Sequence, residues 1–172
     1  MPPELAEQLP ILKELLSALG LAVVECEGYE ADDILGTLSA QCGESDLCYL
    51  ATGDRDSLQL VGERVHVLLA ATKMGKPVTT EYDEAAIRAE YGVEPRQLIE
   101  IKALMGDSSD NIPGVAGIGQ KTAMDLIQRF HSLDEIYENL ETIDIKPGVR
   151  AKLQKDRDMA FLSRTLGTVC RE

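Results

Sequence analysis

Apolar residues at helical spacing open the chain and define its first predicted element. Leucines recur every three or four positions between residues 4 and 19, and Gly20 then interrupts the pattern. This spacing predicts an amphipathic helix, whose start Pro10 can delay. The short apolar run that follows, residues 21–26, is typical of a buried strand.

The next segments alternate between helix and strand patterns. Residues 30–42 carry apolar positions on one helical face, whereas residues 46–52 and 64–70 are short apolar runs typical of strands. Residues 71–77 are the most loop-like stretch of this half of the chain. A succession of strand, helix and strand predicts a parallel α/β sheet with crossover helices.

The pattern after about residue 80 is helical throughout. Gly, Pro, Ser and Asp punctuate five segments with helical patterns. These segments are residues 81–93, 95–106, 119–132, 133–140 and 146–166. We therefore predict two parts, an α/β core in residues 1–92 and an all-helical module in residues 93–172.

Composition limits the class of protein. The 172 residues are 44% hydrophobic, which is enough for a core in one compact unit or two small ones. No apolar run reaches about 18 residues, and residues 1–10 carry two acidic side chains and no basic one, so we expect neither a membrane span nor a secretory signal. The four cysteines form no C-x-x-C pair, which argues against a zinc site and favours a reducing, intracellular compartment.

The net charge of −13 taken alone argues against a nucleic-acid-binding protein. Such domains usually carry a basic surface, and a soluble acidic protein is the simpler interpretation. Carboxylates that bind metal ions are nevertheless counted as negative in this total. The net charge is therefore a poor guide if the acidic residues are clustered.

Seven acidic residues fall into three groups, and each group stands where an apolar segment ends. The groups are Glu30, Asp32 and Asp33, then Asp54 and Asp56, and finally Asp107 and Asp110. In open parallel sheets ligands collect at the carboxyl ends of the strands, so one edge of the fold is expected to gather all seven. Such crowding is costly unless cations screen it, and oxygen ligands favour Mg²⁺ or Mn²⁺ over zinc. Two such ions about 4 Å apart hydrolyse phosphodiesters by activating water and stabilising the leaving oxygen.

Each acidic group also has a simpler structural interpretation. Acidic residues at a helix start are common caps, which is one explanation for the first group. Residues 53–56 are compatible with an ordinary turn, and residues 106–111 with a loop and a helix cap. It is the three groups together that favour a metal site.

A glycine-rich segment, residues 111–127, is the most specific motif. Its glycines allow tight turns and close approach of the backbone to a ligand. The helix that begins near Gln120 offers unpaired amides and the positive end of its dipole to an anion. We predict that it holds a nucleic-acid phosphate without reading base identity, whereas the alternative is an ordinary helix–turn–helix corner with glycine caps. The predicted DNA-contacting residues are Gly114, Gly117, Gly119, Gln120, Lys121 and Thr122.

Three motifs in this order resemble a known family. "GYEADD", "TGDRD" and "GDSSDNIPGVAGIGQKTA" resemble the 5′ nuclease domain of bacterial DNA polymerase I, within the wider flap endonuclease family. The resemblance extends over essentially the whole chain. It implies a PIN-like α/β core followed by a helix–three-turn–helix module. It also implies removal of 5′ flaps and RNA primers with divalent metal ions.

The resemblance assigns roles to the motif residues. It implies that all seven acidic residues are metal ligands, directly or through water, and that four also act in catalysis: Asp32, Asp33, Asp54 and Asp56. The family's hairpin holds a K⁺ ion through backbone oxygens and contacts duplex DNA. In this chain that hairpin falls on residues 111–122.

The chain also departs from the family pattern. The family's opening strand and basic helical arch have no match, and residues 1–10 resemble the point just after the arch. We therefore expect part of a nuclease domain with impaired cleavage and an unpaired sheet edge that invites self-association. The polymerase domains of a parent chain are expected partners, and the bacterial cytoplasm, at the nucleoid, is the expected location. The alternative function is a non-catalytic module that binds duplex DNA independently of sequence.

Overall fold

The computed structural model describes residues 2–171 and confirms a mixed α/β first half followed by a helical second half. The helices and strands in chain order are α1 (Pro3–Ala6), α2 (Gln8–Ala18), α3 (Ala31–Ala40), β1 (Cys48–Thr52), β2 (Val65–Lys73), β3 (Lys76–Tyr82), α4 (Glu84–Tyr91), α5 (Leu98–Met105), α6 (Gln120–Phe130), α7 (Leu133–Glu138), α8 (Pro147–Lys155) and α9 (Arg157–Gly167). Two 3-10 helices, Arg55–Leu60 and Pro95–Gln97, complete the list. Within residues 2–171 no helix is long and apolar enough to cross a membrane.

The three strands form one sheet in the order β1-β2-β3. The β1–β2 pair is parallel, as predicted, and the 3-10 helix Arg55–Leu60 lies in its crossover. The β2–β3 pair is antiparallel, and the prediction of a loop over residues 71–77 was wrong for most of that stretch. Only Met74 and Gly75 form the turn, and both have positive φ (51° and 76°), as the type I′ turn of a two-residue hairpin requires.

The first part of the chain folds as helices but buries little. The helix predicted over residues 4–19 is confirmed as α1 and α2, and Gly20 ends it with a φ of 79°. The strand predicted over residues 21–26 was wrong, because this run has no regular secondary structure and is exposed. An apolar run becomes a strand only when a neighbouring strand pairs with it, and β1 pairs with β2 alone within the described residues.

Two groups of buried side chains form the core. One lies around the sheet and α4 and includes Leu50, Val67 and Ile87. The other lies among the helices of the second half and includes Leu104 and Leu126, both almost fully buried. Tyr91 and Leu98 pack against both groups, so the two halves adjoin where α4 is followed by α5.

The segment predicted as one helix over residues 146–166 is divided at Asp156. This residue has φ −109° and ψ 28°, outside regular helix, and separates α8 from α9. Its carboxylate accepts a hydrogen bond from the amide of Ala116 at 3.0 Å. The interruption therefore ties the start of α9 to the glycine-rich segment.

Gln59 connects the sheet half to the end of α9. Its side-chain amide donates to the carbonyl of Gly167 at 3.1 Å, and its side-chain oxygen accepts from the amide of Val169 at 3.0 Å. The side chain is buried, so both polar atoms need these partners. These bonds hold residues 167–169 against the 3-10 helix, next to the acidic residues.

Candidate metal centre and nucleic-acid interface

A polar cavity of about 540 Å³ brings most of the predicted ligands together. Five of the seven acidic residues line it, and they come from segments far apart in the sequence. They are Glu30, Asp32, Asp33, Asp56 and Asp110. Lys102 of α5 lines the same cavity. Asp107 joins this set through an ion pair with Lys102, whereas Asp54 is not among the lining residues.

Hydrogen bonds orient the acidic residues at the start of α3. The two oxygens of Asp33 accept from the amide of Glu30 at 3.0 Å and from the amide of Cys170 at 2.8 Å. An Asp32 oxygen accepts from the hydroxyl of Ser57 at 2.6 Å, and Ser57 is fully buried. Asp33 therefore has the capping role that acidic residues often have at helix starts, while it also faces the cavity.

The second acidic group sits on the turn that begins the 3-10 helix. Asp54 precedes this helix, and its carboxylate accepts from the amide of Asp56 at 2.9 Å. The turn directs the Asp56 side chain towards Lys102 of α5, with 2.5 Å between carboxylate oxygen and Nζ. Of this pair, the structure thus brings Asp56 into the cavity and uses Asp54 to shape the turn.

Lys102 is the centre of a partly buried ion cluster. Its Nζ lies 2.7 Å from an oxygen of Asp110 and 3.2 Å from one of Asp107, in addition to its contact with Asp56. Ligand oxygens of these three aspartates all lie within 4.8 Å of one another. Lys102 is only 8% exposed, so its ammonium is largely shielded from water.

The pKa values reflect this crowding. Burial alone would lower the pKa of Lys102, but hydrogen bonds to Asp110 and Asp56 outweigh it and the net shift is upward. Burial raises the pKa of Asp56, against the pull of Lys102. Hydrogen bonds from the hydroxyl and amide of Ser109, with the nearby Lys102, hold the pKa of Asp107 at about 2. The cluster is therefore stabilised with Lys102 charged and Asp107 ionised.

The donor set of this cluster fits a hard divalent cation. It consists of carboxylate oxygens, the ligands that Mg²⁺ and Mn²⁺ prefer. A cationic group, the Lys102 ammonium, already lies among the three aspartates. The arrangement therefore favours a positive charge at this position.

The glycine-rich segment begins with a tightly packed corner. Gly106 and Gly114 lie against each other, and a Cβ on Gly114 would come within 2.3 Å of the Gly106 nitrogen. Gly114 is buried, and its amide donates to the hydroxyl of Ser163 at 2.9 Å. Asp107 and Ile112 pair across the corner through two backbone hydrogen bonds. Gly114 is thus required for packing within the protein.

The later part of the segment lies on the surface. Gly117, Gly119, Gln120 and Lys121 are exposed, and Thr122 is half-buried. Gly119 is the N-cap of α6 and has no side chain, so the first amides of this helix are available to an external acceptor. These residues form the candidate phosphate-binding surface.

Basic residues of α8 differ in their relation to this surface. Lys152 donates from Nζ to the carbonyl of Gly117 at 2.8 Å, and Lys155 is exposed. Arg150 instead donates to the carbonyl of Ile143, and its Nη1 is buried without a partner within the described residues. Lys152 therefore extends the candidate surface, whereas the head group of Arg150 is committed to the protein interior.

Sequence reasoning missed four polar residues that support the site. They are Lys102, Ser57, Gln59 and Ser163. Lys102 had a signal, because a lysine within the otherwise apolar run "IKALM", five residues before Asp107, falls on a helix face that packs inward. The other three carry no such signal, since Ser and Gln are common on exposed surfaces and only the fold shows that these are buried.

Two family models match the chain. Residues 1–92 match the 5′-3′ exonuclease N-terminal resolvase-like domain. Residues 93–172 match the 5′-3′ exonuclease C-terminal SAM fold. Together they account for every residue of the sequence.

Curated relatives with similar sequences are DNA polymerases I. That of Caldicellulosiruptor bescii is 45% identical over 170 residues, which cover 98% of this chain and 20% of the relative. That of Bacillus caldotenax is 43% identical over 174 residues, covering 99% of this chain and 19% of the relative. The chain thus spans about a fifth of the length of the curated relatives it matches.

Solved structures share the fold. T5 5′-exonuclease with bound zinc superposes with a TM-score of 0.79 at 26% identity, covering 97% of this chain and 62% of that one. A complex of T5 flap endonuclease with DNA and metal ions gives a TM-score of 0.78 at 25% identity, covering 93% and 57%. These matches confirm the resemblance predicted from the three motifs. The chain belongs to the 5′-3′ exonuclease family.

Proposed function

We propose that this chain is part of a metal-dependent 5′ nuclease that hydrolyses phosphodiester bonds at 5′ flaps and RNA primers. The observation that carries the proposal is the convergence of five acidic side chains on one cavity. Like charges gathered from distant segments are costly without a cation. The T5 relatives, whose structures contain divalent metal ions and DNA, support the same activity for this chain.

The acidic residues at the cavity would hold two metal ions in two separate groups. Asp56, Asp107 and Asp110 would hold one Mg²⁺ or Mn²⁺ ion, because their oxygens are close enough to share it. Glu30, Asp32 and Asp33 would serve a second ion, directly or through water, and Asp54 would shape the turn that presents Asp56. Such ions, when bound, supply an activated water and stabilise the leaving oxygen. Asp32, Asp33 and Asp56 are the proposed catalytic residues, and Asp54, which the resemblance places with them, would act through the turn that positions Asp56.

The glycine-rich segment would bind the duplex next to the cleaved end. Exposed amides at the start of α6 and the ammonium of Lys121 suit a phosphate. A K⁺ ion on backbone oxygens of residues 111–122 is part of the proposal. The carbonyl of Gly117, which already accepts from the Lys152 ammonium, is a candidate oxygen for it.

Further partners follow from the relatives. Because the DNA polymerases I that match are about five times longer than this chain, polymerase domains of a parent chain are proposed partners. Action in the bacterial cytoplasm, at the nucleoid, is proposed on the same ground.

Thermal melting with and without Mn²⁺ tests the metal site. We expect millimolar Mn²⁺ to raise the Tm, because an ion that binds only the folded state stabilises it by mass action. Asp110→Asn should reduce this increase, whereas the exposed control Asp144→Asn should retain it. A Tm that is the same with and without Mn²⁺ would refute the metal site.

A non-catalytic, sequence-independent duplex-DNA-binding module is the second candidate. The candidate phosphate surface favours it, because Gly117, Gly119 and Lys121 lie outside the set of residues that line the acidic cavity. DNA binding in the presence of a chelator, together with the absence of any Mn²⁺ effect on the Tm, would support this second function over the first.

A further inference from the structure

We propose that Lys102 is a built-in counter-ion of the metal centre, which holds Asp56, Asp107 and Asp110 together until a divalent cation displaces its ammonium. This inference rests on the proposed metal-dependent function. It assigns to a lysine a role that the acidic residues alone do not reveal. The lysine would stabilise the fold and at the same time compete with the cofactor.

The competition follows from the shared oxygens. Nζ of Lys102 is 2.5 Å from Asp56, 2.7 Å from Asp110 and 3.2 Å from Asp107, and it contacts the same residues whose ligand oxygens lie within 4.8 Å of one another. A divalent ion binds such oxygens at about 2.1 Å. A divalent ion and an ammonium that share the same oxygens would repel each other strongly at so short a distance, so the ammonium moves when the ion enters.

The cavity gives the displaced ammonium somewhere to go. Lys102 lines the cavity of about 540 Å³ together with Glu30, Asp32 and Asp33. Its stem runs past Gly167, where an added Cβ would lie only 3.5 Å from the Lys102 Cδ. The long side chain can therefore turn towards other carboxylates while its stem stays in place, and the charge does not become buried without a partner.

This arrangement answers a problem of folding. Five acidic side chains around one cavity repel one another when the chain folds, and the protein already carries a net charge of −13. An internal ammonium neutralises part of the cluster while the chain folds. The divalent ion therefore binds more weakly than it would to three aspartates without a neighbouring lysine. Its affinity is set by the exchange of the ammonium for the divalent ion.

The test compares Lys102→Met, Lys102→Arg and the control Lys146→Met. Lys102→Met keeps most of the apolar stem and removes the charge, and the exposed Lys146 gives the same change in net charge elsewhere. We expect Lys102→Met to bind Mn²⁺ at least about tenfold more tightly by isothermal titration, while its Tm in chelator falls below that of the natural chain. Lys102→Arg and Lys146→Met should keep an Mn²⁺ affinity close to that of the natural chain.

Unchanged or weaker Mn²⁺ binding by folded Lys102→Met would overturn the proposal, because Lys102 would then support the ligands without competing. In that outcome the natural chain still binds Mn²⁺, so the proposed metal-dependent function stands. If neither protein binds Mn²⁺, both the inference and the metal site fail. The natural chain offers a second measurement that needs no variant: the ¹³Cε signal of Lys102 should shift on Mg²⁺ titration, and an unmoved signal at saturation would contradict displacement.

Discussion

Gly114 shows how a single residue constrains the corner at the start of the glycine-rich segment. It has a φ of 63°, and an added Cβ would meet the backbone of Gly106 at 2.3 Å. We expect Gly114→Ala to lower the free energy of unfolding by about 3 kcal/mol or more, because backbone cannot move aside as a flexible side chain can. Urea unfolding monitored by circular dichroism measures this.

Gly119→Ala is the matched control for Gly114. A Cβ at Gly119 meets nothing within 4 Å, and its φ of −97° is ordinary for any residue. The loss should therefore stay below about 1 kcal/mol, the usual effect of alanine at a helix N-cap. Equal losses in the two variants would contradict the packing role of Gly114.

Asp107 should make the free energy of unfolding depend on pH in the acidic range. Its pKa is held at about 2, below the value of about 3.9 expected in the unfolded chain. A lowered pKa contributes stability above the unfolded value, and this contribution is lost as the pH falls through about 4 towards 2. Asp107→Asn should therefore be less stable than the natural chain by about 1–2 kcal/mol at pH 7 in chelator, with the difference closing below pH 4.

Urea unfolding at several pH values measures the Asp107 effect. The exposed Asp144→Asn serves as the control and should change stability little. A difference between Asp107→Asn and the natural chain that stays constant from pH 7 to pH 2.5 would show that the carboxylate charge is not what matters.

At the residue level, the sequence predicted that seven acidic residues would gather at one edge, and the structure places five of them around one cavity. Their role as metal ligands stays a prediction, and Lys102 was not predicted at all. The grouping of Glu30, Asp32 and Asp33 at a helix start is a local pattern, so their shared wall of the cavity was foreseeable. Lys102 gave a weaker signal, because lysines on apolar helices commonly extend to water. The ammonium is buried because α5 packs beside the 3-10 helix that carries Asp56 and the loop after α5 that carries Asp110.

The start of α6 is the element expected to hold DNA. Lys121→Glu should weaken duplex binding by about tenfold or more, because it removes a cation and places an anion beside the helix amides. The exposed Lys76→Glu, in the sheet half, is the control for the change in net charge. Titration of two unrelated duplexes at two salt concentrations should show similar affinities for both and a steep loss with salt.

Two outcomes would contradict this role of α6. One is a strong preference for one of the two duplex sequences. The other is an equal loss of affinity in Lys121→Glu and Lys76→Glu, because the change in net charge alone would then explain the weaker binding.

At the level of elements, the local sequence pattern was sufficient to predict capped helices. It was not sufficient to predict a strand, because a strand also needs a neighbouring strand to pair with. The predictions of strand β1 and helix α3 were correct, because the apolar side chains that mark these elements in the sequence also pack into the core. Residues 21–26 have a comparable apolar pattern but no strand beside them within the described chain, and they remain irregular. The division between α8 and α9 lies at Asp156, whose carboxylate accepts a hydrogen bond from the amide of Ala116, 40 positions away, and local pattern does not reveal this contact.

The whole molecule is expected to cleave 5′-flap DNA slowly or not at all by itself. Hydrolysis needs fixed ions and an oriented substrate, and a misplacement of about 1 Å can already cost about a hundredfold. Helix α2 buries no residue and exposes apolar side chains, Leu12 and Leu15 among them, so it does not help to fix the substrate at the cavity. A flap-cleavage assay with Mg²⁺, beside T5 flap endonuclease under the same conditions, measures this, and equal turnover by the two would contradict it.

Self-association is the accompanying prediction at this scale. Within the described residues β1 pairs on one side only, and the neighbouring Leu47 and Tyr49 are exposed. Sedimentation velocity over a range of concentrations should show growth of larger species. A single monomeric species at every concentration would argue against this edge as a contact surface.

The unburied helices α1 and α2 have a consequence for proteases. Because neither helix buries a residue, their backbone is held mainly by its own hydrogen bonds and opens at little cost in free energy. Brief treatment with chymotrypsin should therefore cut first among the leucines and Tyr29 of residues 5–29, and leave a resistant product that begins near residue 30. That product would keep α3, the sheet and the Lys102 cluster, so the boundary between accessible and protected chain would fall beside the first of the acidic groups.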